Sequence, residues 1–459
     1  MSALIAVIDD DPDFLYLMEK KLQDIGYHQL HLYDDPFKLL TDIEHDIQLD
    51  LALIDMNMPH MDGLSLMEHV KAASPNTECI MVTAVNEARV AVACIHKGAY
   101  DYLLKPVLPE TLEICLKRAL ERKRLLDILH LEKTDTLPTL DQPEAFLDII
   151  TTSKKVLRVL REAELHAVSD VPILITGESG TGKELLARAI HRVSRRADQS
   201  FTPINMAALS GSLFEAEFFG HTKGAFTGAE SPRVGYLEHT HKGTLFLDEI
   251  SDLPLELQGK LLRVLQDGEF TRLGSSRSKQ VDIRLIAATN ADLEKMIRKK
   301  KFRKDLYYRI QGGWLHLPPL RERDDDIPLL ANHFLNKFCL KNTQFQIDSE
   351  ALALLTTYSY PGNIRELAGI IQAAVNLAQG GLLTTTCLPA QIKKMATRSS
   401  SPANCAKPLG KNGIVPLEVI EKQYILNAYK ITGENKSQTA RLLKIGLNTL
   451  RRKLKIYGV

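Results

Sequence analysis

Short apolar runs that end in polar residues alternate with amphipathic segments along residues 1–110. Four of these runs read LIAVIDD, LALIDM, ECIMVTA and DYLLKP. This rhythm is typical of βαβ units, in which helices cover both faces of a parallel sheet. The segment that follows Pro109, up to about Lys133, has neither Gly nor Pro. It predicts one long helix that leads out of the first domain and is a candidate for dimer formation.

A second alternation of apolar strands and helices begins near Val171 and continues past Asn290. Residues 396–413 are rich in Ser, Pro and Gly, which predicts a flexible linker, and the residues after them have a helical pattern. We therefore expect three folded domains. Their predicted bounds are residues 1–120, 143–392 and 416–459, joined by a helical linker at 121–142 and a flexible linker at 393–415.

Charge is distributed unevenly along the 459 residues, although the net charge is only +1. Residues 1–110 carry 19 acidic and 7 basic side chains, whereas residues 436–459 carry seven Lys or Arg and no acid. An acidic head and a basic tail indicate different partners at the two ends. The six cysteines are scattered, which fits a reducing compartment, and no apolar stretch approaches the ~18 residues of a membrane span. We expect a cytoplasmic protein without a membrane partner.

Acidic residues mark the ends of the predicted strands in the first domain. Asp9 and Asp10 end the first strand, Asp55 ends the third, Thr83 ends the next, and Lys105 follows DYLL. Carboxyl ends of parallel strands meet at one edge of a sheet, so these side chains should converge. Crowded carboxylates repel one another until a cation such as Mg²⁺ binds, and one of them can then attack phosphorus. The alternative is a solvated helix-cap cluster, Asp9 to Asp11, beside an unrelated turn residue.

These five positions resemble a response-regulator receiver domain over roughly residues 1–120, which implies a flavodoxin-like fold. The resemblance implies that Asp55 is the phospho-acceptor and that Asp10, Asp55 and the backbone carbonyl of Asn57 bind Mg²⁺. It also implies that Thr83 and Lys105 sense the new phosphoryl oxygens, with Tyr102 as the switch aromatic.

The segment GESGTGKE follows the apolar strand VPILIT and precedes the helical LLARAIHRV, which is the context of a phosphate-binding loop. Backbone N–H groups of such a loop converge on phosphate at a helix N-terminus. The predicted nucleotide-binding residues are Gly177, Glu178, Ser179, Gly180, Thr181, Gly182, Lys183 and Glu184. Downstream, GTLFLDEI ends in Asp248, placed to hold Mg²⁺, and Glu249, placed to orient or deprotonate the attacking water.

The motifs GESGTGKE, GAFTGA, GTLFLDEI, AATN, FRKDLYYRI, LPPLRERDDDI and PGNIREL resemble, in this order, the AAA+ ATPase domain of bacterial sigma-54-dependent activators. The resemblance covers roughly residues 143–392 and implies a P-loop ATPase with a helical lid. It makes Asn290 the first sensor and Arg365 the second. Asn205 matches the asparagine that restrains the catalytic Glu249 until nucleotide is bound.

Two arginines match the family's arginine-finger positions, which serve the ATP of a neighbouring subunit. They are Arg303 and Arg309 of FRKDLYYRI. The alternative is a surface ion pair with Asp305. If the arginines act in trans, the catalytic site is complete only in an oligomer.

The glycine-rich segment GHTKGAFTGA carries one large apolar ring, Phe226, in a loose backbone. Exposed apolar surface of this kind marks a protein contact. The resemblance implies that this loop grips sigma-54 when the nucleotide state lifts it. The predicted contact residues are Gly224, Ala225, Phe226, Thr227, Gly228 and Ala229. The alternative is a hairpin with Phe226 tucked into the core.

The basic tail reads as helix, Gly-containing turn, helix, which is the helix-turn-helix pattern. We expect Ser437 to cap the first of these helices, Asn448 or Thr449 to begin the second, and Leu450 and Leu454 to face the core. The segment resembles an all-α Fis-type domain. Its predicted DNA contacts are Asn448, Thr449, Arg451, Arg452, Lys453 and Lys455. The alternative is a solvated basic helix without a ligand.

Together these segments resemble an NtrC-type response regulator that uses ATP and Mg²⁺. The resemblance implies that a sensor histidine kinase phosphorylates Asp55, and that phosphorylation controls assembly from a dimer to a hexameric ring. ATP hydrolysis then remodels sigma-54 RNA polymerase while the tail binds enhancer-like double-stranded DNA. Two rivals are a DNA-binding repressor with a vestigial ATPase site and an AAA+ remodeller of unrelated proteins, such as an unfoldase.

Overall fold

The computed structural model describes residues 3–45, 47–84, 92, 94–133, 137–208, 211–226, 228–323, 325–339, 345–378, 381–393 and 417–457. Thr227 and nearly all of the predicted linker 393–415 lie outside these residues. The chain divides into two compact units, residues 1–392 and 393–459, which are described separately. Among the described residues, no helix is long and apolar enough to cross a membrane.

The first part of the larger unit is a five-stranded parallel sheet with helices on both faces. Its strand order is β2-β1-β3-β4-β5, the order predicted for a flavodoxin-like domain. The elements are β1 Ile5–Ile8, α1 Pro12–Asp24, β2 Leu30–Tyr33, α2 Pro36–Glu44, β3 Leu51–Asp55, α3 Gly63–Ala73, β4 Glu78–Thr83, β5 Asp101–Leu104 and α4 Pro109–Lys133.

Local chemistry explains where these elements begin and end. Every residue of β1, β3 and β4 is buried because helices cover both faces of the sheet. The carboxylates of Asp11, Asp35 and Asp62 cap α1, α2 and α3 by accepting a backbone N–H in the first turn. Because these three strands are buried on both faces, their polar side chains lie only at the strand ends.

The second part of the larger unit corresponds to the predicted ATPase domain and is called the ATPase part; it is another parallel sheet, with strand order β14-β6-β13-β10-β7. Two apolar clusters fill its two faces. The elements are α5 Lys154–Ala167, β6 Ile173–Thr176, α6 Lys183–Val193, β7 Phe201–Asn205, α7 Gly211–Phe219, β8 Gly220–His221, β9 Arg233–Val234, α8 Tyr236–His239, β10 Thr244–Asp248, α9 Leu255–Asp267, β11 Glu269–Thr271, β12 Ser278–Gln280, β13 Arg284–Thr289, α10 Leu293–Arg298, α11 Lys304–Ile310 and β14 Gly313–His316.

A helical lid follows the second sheet and has its own apolar cluster. Its elements are α12 Asp326–Phe338, β15 Gln346–Ile347, α13 Ser349–Thr357, α14 Asn363–Leu377 and β16 Leu382–Leu383. The fully buried Asp326 ties the lid to the segment before α5, because its carboxylate accepts the hydroxyl of Thr151 and the backbone N–H groups of Thr152 and Ser153.

The smaller unit contains three helices, α15 Leu417–Ile431, α16 Lys436–Leu442 and α17 Leu447–Tyr457. Leu450 and Leu454 are buried, as predicted. The cap prediction was wrong: Asn435, two residues before Ser437, caps α16, and its side-chain oxygen accepts the N–H of Gln438. The second helix begins at Leu447, one residue earlier than predicted.

The long helix α4 spans Pro109–Lys133 as predicted and packs on α5 of the ATPase part. Arg124, which is buried, donates from a guanidinium N–H to Nδ1 of His166 over 2.7 Å. His166 fits there because residue 313 is glycine: a Cβ at Gly313 would lie 2.7 Å from His166 Nδ1. Since a guanidinium can only donate, His166 must be neutral with Nδ1 as acceptor.

We expect His166 to make the fold sensitive to acid. Burial, with the charges of Arg124 and Arg284, lowers the pKa of His166 to about 4, against the opposing effect of Glu121. The unfolded chain has a histidine pKa of about 6.5, so stability is full above that pH and is lost as pH falls toward 4. The loss between pH 7 and pH 5 is about 2 kcal/mol.

The test is urea unfolding, followed by circular dichroism at both pH values, of the wild type and of His166→Asn. Asparagine offers an acceptor to Arg124 but does not titrate. The variant should lack this part of the pH dependence. Parallel losses in the two proteins would contradict the assignment.

Candidate functional site

The carboxyl edge of the first sheet brings two acids and one lysine together. Asp9 follows β1, Asp55 ends β3, and both are buried. Lys105, directly after β5, places Nζ 2.6 Å from Asp9 Oδ2 and 2.7 Å from Asp55 Oδ1. The ammonium therefore bridges two carboxylates that would otherwise repel each other.

Electrostatics in this pocket reflect burial and pairing. Burial raises the pKa of Asp9, against the lowering effects of Lys105 and the N–H of Asp11. Burial acts to lower the pKa of Lys105, but hydrogen bonds to Asp55 and Asp9 outweigh it, and the pKa is raised. The ring of Phe14 lies under the ammonium, 4.0 Å from Nζ to the ring centre. Lys105 thus stays charged.

The other predicted receiver residues surround this pocket at different depths. Thr83 is buried at the end of β4, and the Asn57 N–H donates to Asp55 Oδ2 over 2.7 Å. Asp10 and Tyr102 are exposed. The predicted site set omitted Asp9, although Asp9 shares Lys105 with Asp55. Its signal was a carboxylate placed directly after four buried apolar residues.

The phosphate-binding loop lies between the end of β6 and the start of α6 at Lys183. Gly177, Gly180 and Gly182 have positive φ angles of 154°, 78° and 102°, a conformation that side chains oppose. The ammonium of Lys183 is buried and donates to the carbonyls of Gly177 (3.0 Å) and Glu178 (3.3 Å). The positively charged Lys183 side chain thus lies on the inner side of the cradle, the loop shaped by these glycines.

A cavity of about 540 Å³ opens beside this loop. Its lining includes loop residues, the acids that end β10, the end of β7, and three apolar side chains of the lid. The lining residues are Ser179, Gly180, Gly182, Lys183, Glu184, Leu185, Asn205, Asp248, Glu249, Phe334, Ile364, Arg365 and Ala368. Most of the predicted nucleotide-binding and catalytic residues therefore share one cavity.

The two acids of the cavity are held differently. Burial raises the pKa of Asp248, against the lowering effect of Lys183. Glu249 has a left-handed backbone, with φ at 54°, a strained state typical of functional sites. Its carboxylate lies 3.8 Å from Lys183 Nζ and accepts the N–H of Asn290 over 3.1 Å. Asn205 instead accepts the N–H of Ala207 through Oδ1.

The two predicted finger arginines are exposed at the ends of α11. Arg303 pairs with Asp305 over 2.7 Å, so within one chain the ion pair considered as the alternative is present. Arg309 donates to the Leu265 carbonyl through two N–H groups. Neither arginine lines the cavity of its own chain.

The glycine-rich loop connects β8 and β9, which form a two-stranded antiparallel sheet of their own. Gly224 and Gly228 have positive φ, and a Cβ built on either would meet no atom within 4 Å. Phe226 is 39% exposed and contacts the ring of His221 edge-on, with centroids 5.0 Å apart. The ring therefore rests on the surface rather than in the core. Thr227 lies outside the described residues.

The basic residues of α17 are exposed with one exception. Arg451, Arg452 and Lys455 are exposed, whereas Lys453 Nζ lies 2.5 Å from a carboxylate oxygen of Glu421 on α15. The predicted DNA contact Lys453 therefore has an ion-pair partner within the same unit, because α15 supplies an acid that residues 436–459 do not contain.

Family models match four segments of the chain. They are the response regulator receiver domain at residues 5–117, the sigma-54 interaction domain at 149–316, the AAA+ ATPase lid domain at 321–405, and the bacterial regulatory protein Fis family at 416–457. The regulatory protein AtoC of Escherichia coli is 41% identical over 418 residues, which are 90% of this chain and 89% of the relative. The chain belongs to the sigma-54-dependent response regulators.

Full-length relatives have the same architecture as this regulator. The transcriptional regulatory protein ZraR of Escherichia coli is 38% identical over 453 residues, 98% of each chain. The crystal structure of NtrX from Brucella abortus in complex with ADP is 32% identical, covers 100% of both chains and superposes with a TM-score of 0.50. The regulator is thus a two-component response regulator with sigma-54 interaction and DNA-binding domains, and an unfoldase of unrelated proteins is the wrong interpretation.

Proposed function

We propose that this regulator hydrolyses ATP with Mg²⁺ and that phosphorylation of Asp55 controls the hydrolysis. The observation that carries the proposal is the single cavity in which Lys183, Asp248 and Glu249 meet the glycine cradle. The ADP complex of NtrX supports nucleotide binding at the same fold. We also propose that the three domains span residues 1–120, 143–392 and 416–459, with linkers at 121–142 and 393–415.

The residues of the cavity fit a magnesium nucleotide. Mg²⁺ in such sites binds one or two carboxylates together with substrate phosphates and water. Asp248 offers a carboxylate whose raised pKa reflects an uncompensated burial that a cation would relieve. Among the described residues there is no group of three or more His, Cys, Asp or Glu arranged around a metal. This agrees with a site in which phosphates complete the coordination.

Each residue of the cavity has one task in the reaction. Lys183 moves from the loop carbonyls to the outer phosphates, and the loop N–H groups bind the remaining phosphate oxygens. Glu249 orients the attacking water and accepts its proton on a carboxylate oxygen. Asn290 holds that carboxylate through its N–H, and Asn205 lies at the cavity wall, where it can restrain Glu249 in another nucleotide state.

The contacts of Asp55 with Lys105 and the Asn57 N–H support its role as the phospho-acceptor. A carboxylate oxygen of Asp55 attacks the phosphorus of a phosphohistidine on the sensor kinase, and the P–N bond breaks to leave the kinase histidine. Asp10, Asp55 and the Asn57 carbonyl would hold Mg²⁺, which would neutralise charge on the phosphoryl oxygens. The carboxylates of Asp9 and Asp55 already share one cation, the Lys105 ammonium. Carboxylate oxygens are also the ligands that hard divalent ions prefer, so this edge of the sheet fits Mg²⁺.

The switch residues respond to the new charge. The phosphoryl group adds negative charge and acceptor oxygens, to which the Lys105 ammonium and the Thr83 hydroxyl move. Tyr102, exposed on β5, follows this change. These movements permit assembly of a dimer into a hexameric ring.

In the ring, Arg303 and Arg309 serve the cavity of the neighbouring subunit, since neither reaches the cavity of its own chain. ATP turnover then lifts the loop of residues 224–229, and Phe226 grips sigma-54 RNA polymerase. The exposed face of α17, with Asn448, Thr449, Arg451, Arg452 and Lys455, binds enhancer-like DNA. Lys453 contributes only if its pair with Glu421 opens.

Phosphorylation can be tested by labelling. Asp55→Asn should lose incorporation of phosphate from acetyl phosphate and Mg²⁺, because an amide is not a nucleophile toward phosphorus. The control is Asp62→Asn, an exposed N-cap at which asparagine caps equally well. Retained labelling of Asp55→Asn would refute the assignment.

The role of the loop can be tested by measuring sigma-54 capture separately from ATP hydrolysis. Phe226→Ala should hydrolyse ATP at the wild-type rate and fail to capture sigma-54 in the presence of a transition-state analogue of ATP. Phe37→Ala, which removes an equally exposed ring from α2, should retain capture. Capture by Phe226→Ala would disprove the role of the ring. Absence of ATP turnover in the wild type would favour the repressor with a vestigial ATPase site.

Action in trans can be tested by mixing two inactive proteins. Arg303→Ala removes the finger, and Glu249→Gln removes the catalytic carboxylate. In an equal mixture, about a quarter of the interfaces pair an intact cavity with an intact finger, so about a quarter of the wild-type ATPase rate should return. A mixture as inactive as its components would show that Arg303 does not act in a neighbour.

A further inference from the structure

A carboxylate inside a phosphate-binding loop requires an explanation, because it repels the phosphates that the loop binds. Glu178 is the second residue of this loop. Its carboxylate receives three hydrogen bonds from residues outside the loop. Arg321 donates from two nitrogens, to Oε1 over 2.6 Å and to Oε2 over 2.9 Å, and Asn363 Nδ2 donates to Oε2 over 3.1 Å. These bonds lower the pKa of Glu178 to about 2.

The partner Asn363 connects three segments of the chain. It is fully buried at the start of α14 and has a left-handed backbone, with φ at 53°. Its Nδ2 also donates to the Ser179 carbonyl over 3.0 Å, and its Oδ1 accepts the N–H of Leu320 over 2.8 Å. A buried amide with all these bonds made is costly to displace, because each lost partner leaves a polar group unsatisfied.

The backbones of the loop and the lid also touch directly. The N–H of Ile364 donates to the Gly180 carbonyl over 3.0 Å, and a Cβ on Gly180 would lie 2.4 Å from the Gly362 carbonyl oxygen. No side chain fits between them. The next lid residue, Arg365, places a guanidinium nitrogen 3.3 Å from Ser179 Oγ at the cavity wall.

We propose that Glu178, Arg321 and Asn363 form a latch that fixes the lid on the phosphate-binding loop, with Glu178 as a positioning residue rather than a nucleotide ligand. The latch sets where Arg365 and the apolar wall from Ile364 and Ala368 meet the nucleotide. This inference deepens the proposed ATPase function and rests on the same cavity.

The substitution Glu178→Gln separates two roles by the sign of its effect. If Glu178 were only a negative neighbour of the phosphates, its removal would strengthen nucleotide binding. If it is the latch, the lid loosens and ADP binding weakens by about tenfold, the effect of a lost hydrogen bond to a charged group. Arg321→Gln should weaken binding to a similar extent, and the double variant should be no weaker than either single variant.

Binding is measured by titrating the full chain with ADP and Mg²⁺ while following the fluorescence of Trp314, the single tryptophan. Its indole N–H donates to Thr176 Oγ1, and Thr176 directly precedes the loop. The control is Glu322→Gln, which breaks the exposed pair with Lys155 beside the latch and should leave ADP affinity unchanged. Tighter ADP binding by Glu178→Gln would overturn the proposal. So would a double variant in which the two substitutions change ADP affinity independently and in opposite directions.

A second readout does not depend on nucleotide. Hydrogen exchange of the Ile364 N–H in the nucleotide-free chain should accelerate about tenfold in Glu178→Gln and stay at the wild-type rate in Glu322→Gln. Unchanged exchange at Ile364 in Glu178→Gln would contradict the latch. Because neither readout measures hydrolysis, a chain without ATPase activity would sink the proposed function while the latch could still be demonstrated.

Discussion

Parallel strands buried on both faces have no room for polar side chains except at their ends, and this constraint sets the positions of Asp9, Asp55, Lys105 and Asp248. Asp9, Asp55 and Lys105 lie where strands of the first sheet stop, and Asp248 lies where β10 stops. The interiors of those strands are apolar because helices cover them. The two sheets thus concentrate charge at one edge each, without long loops to hold it.

The second sheet shows how this edge becomes a site with moving parts. Its loop is shaped by three glycines at positive φ, and of its long side chains Lys183 and Glu184 line the cavity. The lid supplies the apolar wall and Arg365, and a neighbouring chain would supply Arg303 and Arg309. The chain thus carries all the predicted residues of the nucleotide site, but its own cavity is lined by Arg365 and not by Arg303 or Arg309.

The sequence predicted those parts of the fold that depend on local pattern. Strand ends, the long helix α4 and the glycine loop were predicted correctly, because each is determined by neighbouring residues. The capping residue of α16 was predicted wrongly, and two contacts between distant segments were not predicted at all. Lys453 pairs with Glu421 from another helix, and Glu178 bonds to Asn363 across 185 positions. No periodicity encodes such a pairing, since it depends on how separate elements pack.

The resting position of Phe226 bears on the solubility of the protein. Its ring contacts His221 and is partly covered, although the space beside Gly224 and Gly228 is open. An aromatic ring displayed permanently on every copy would attract unrelated apolar surfaces and promote aggregation. The contact with His221 covers part of the Phe226 ring while the loop is at rest. Because this edge-on contact is weak, the ring can leave it at a small cost in free energy.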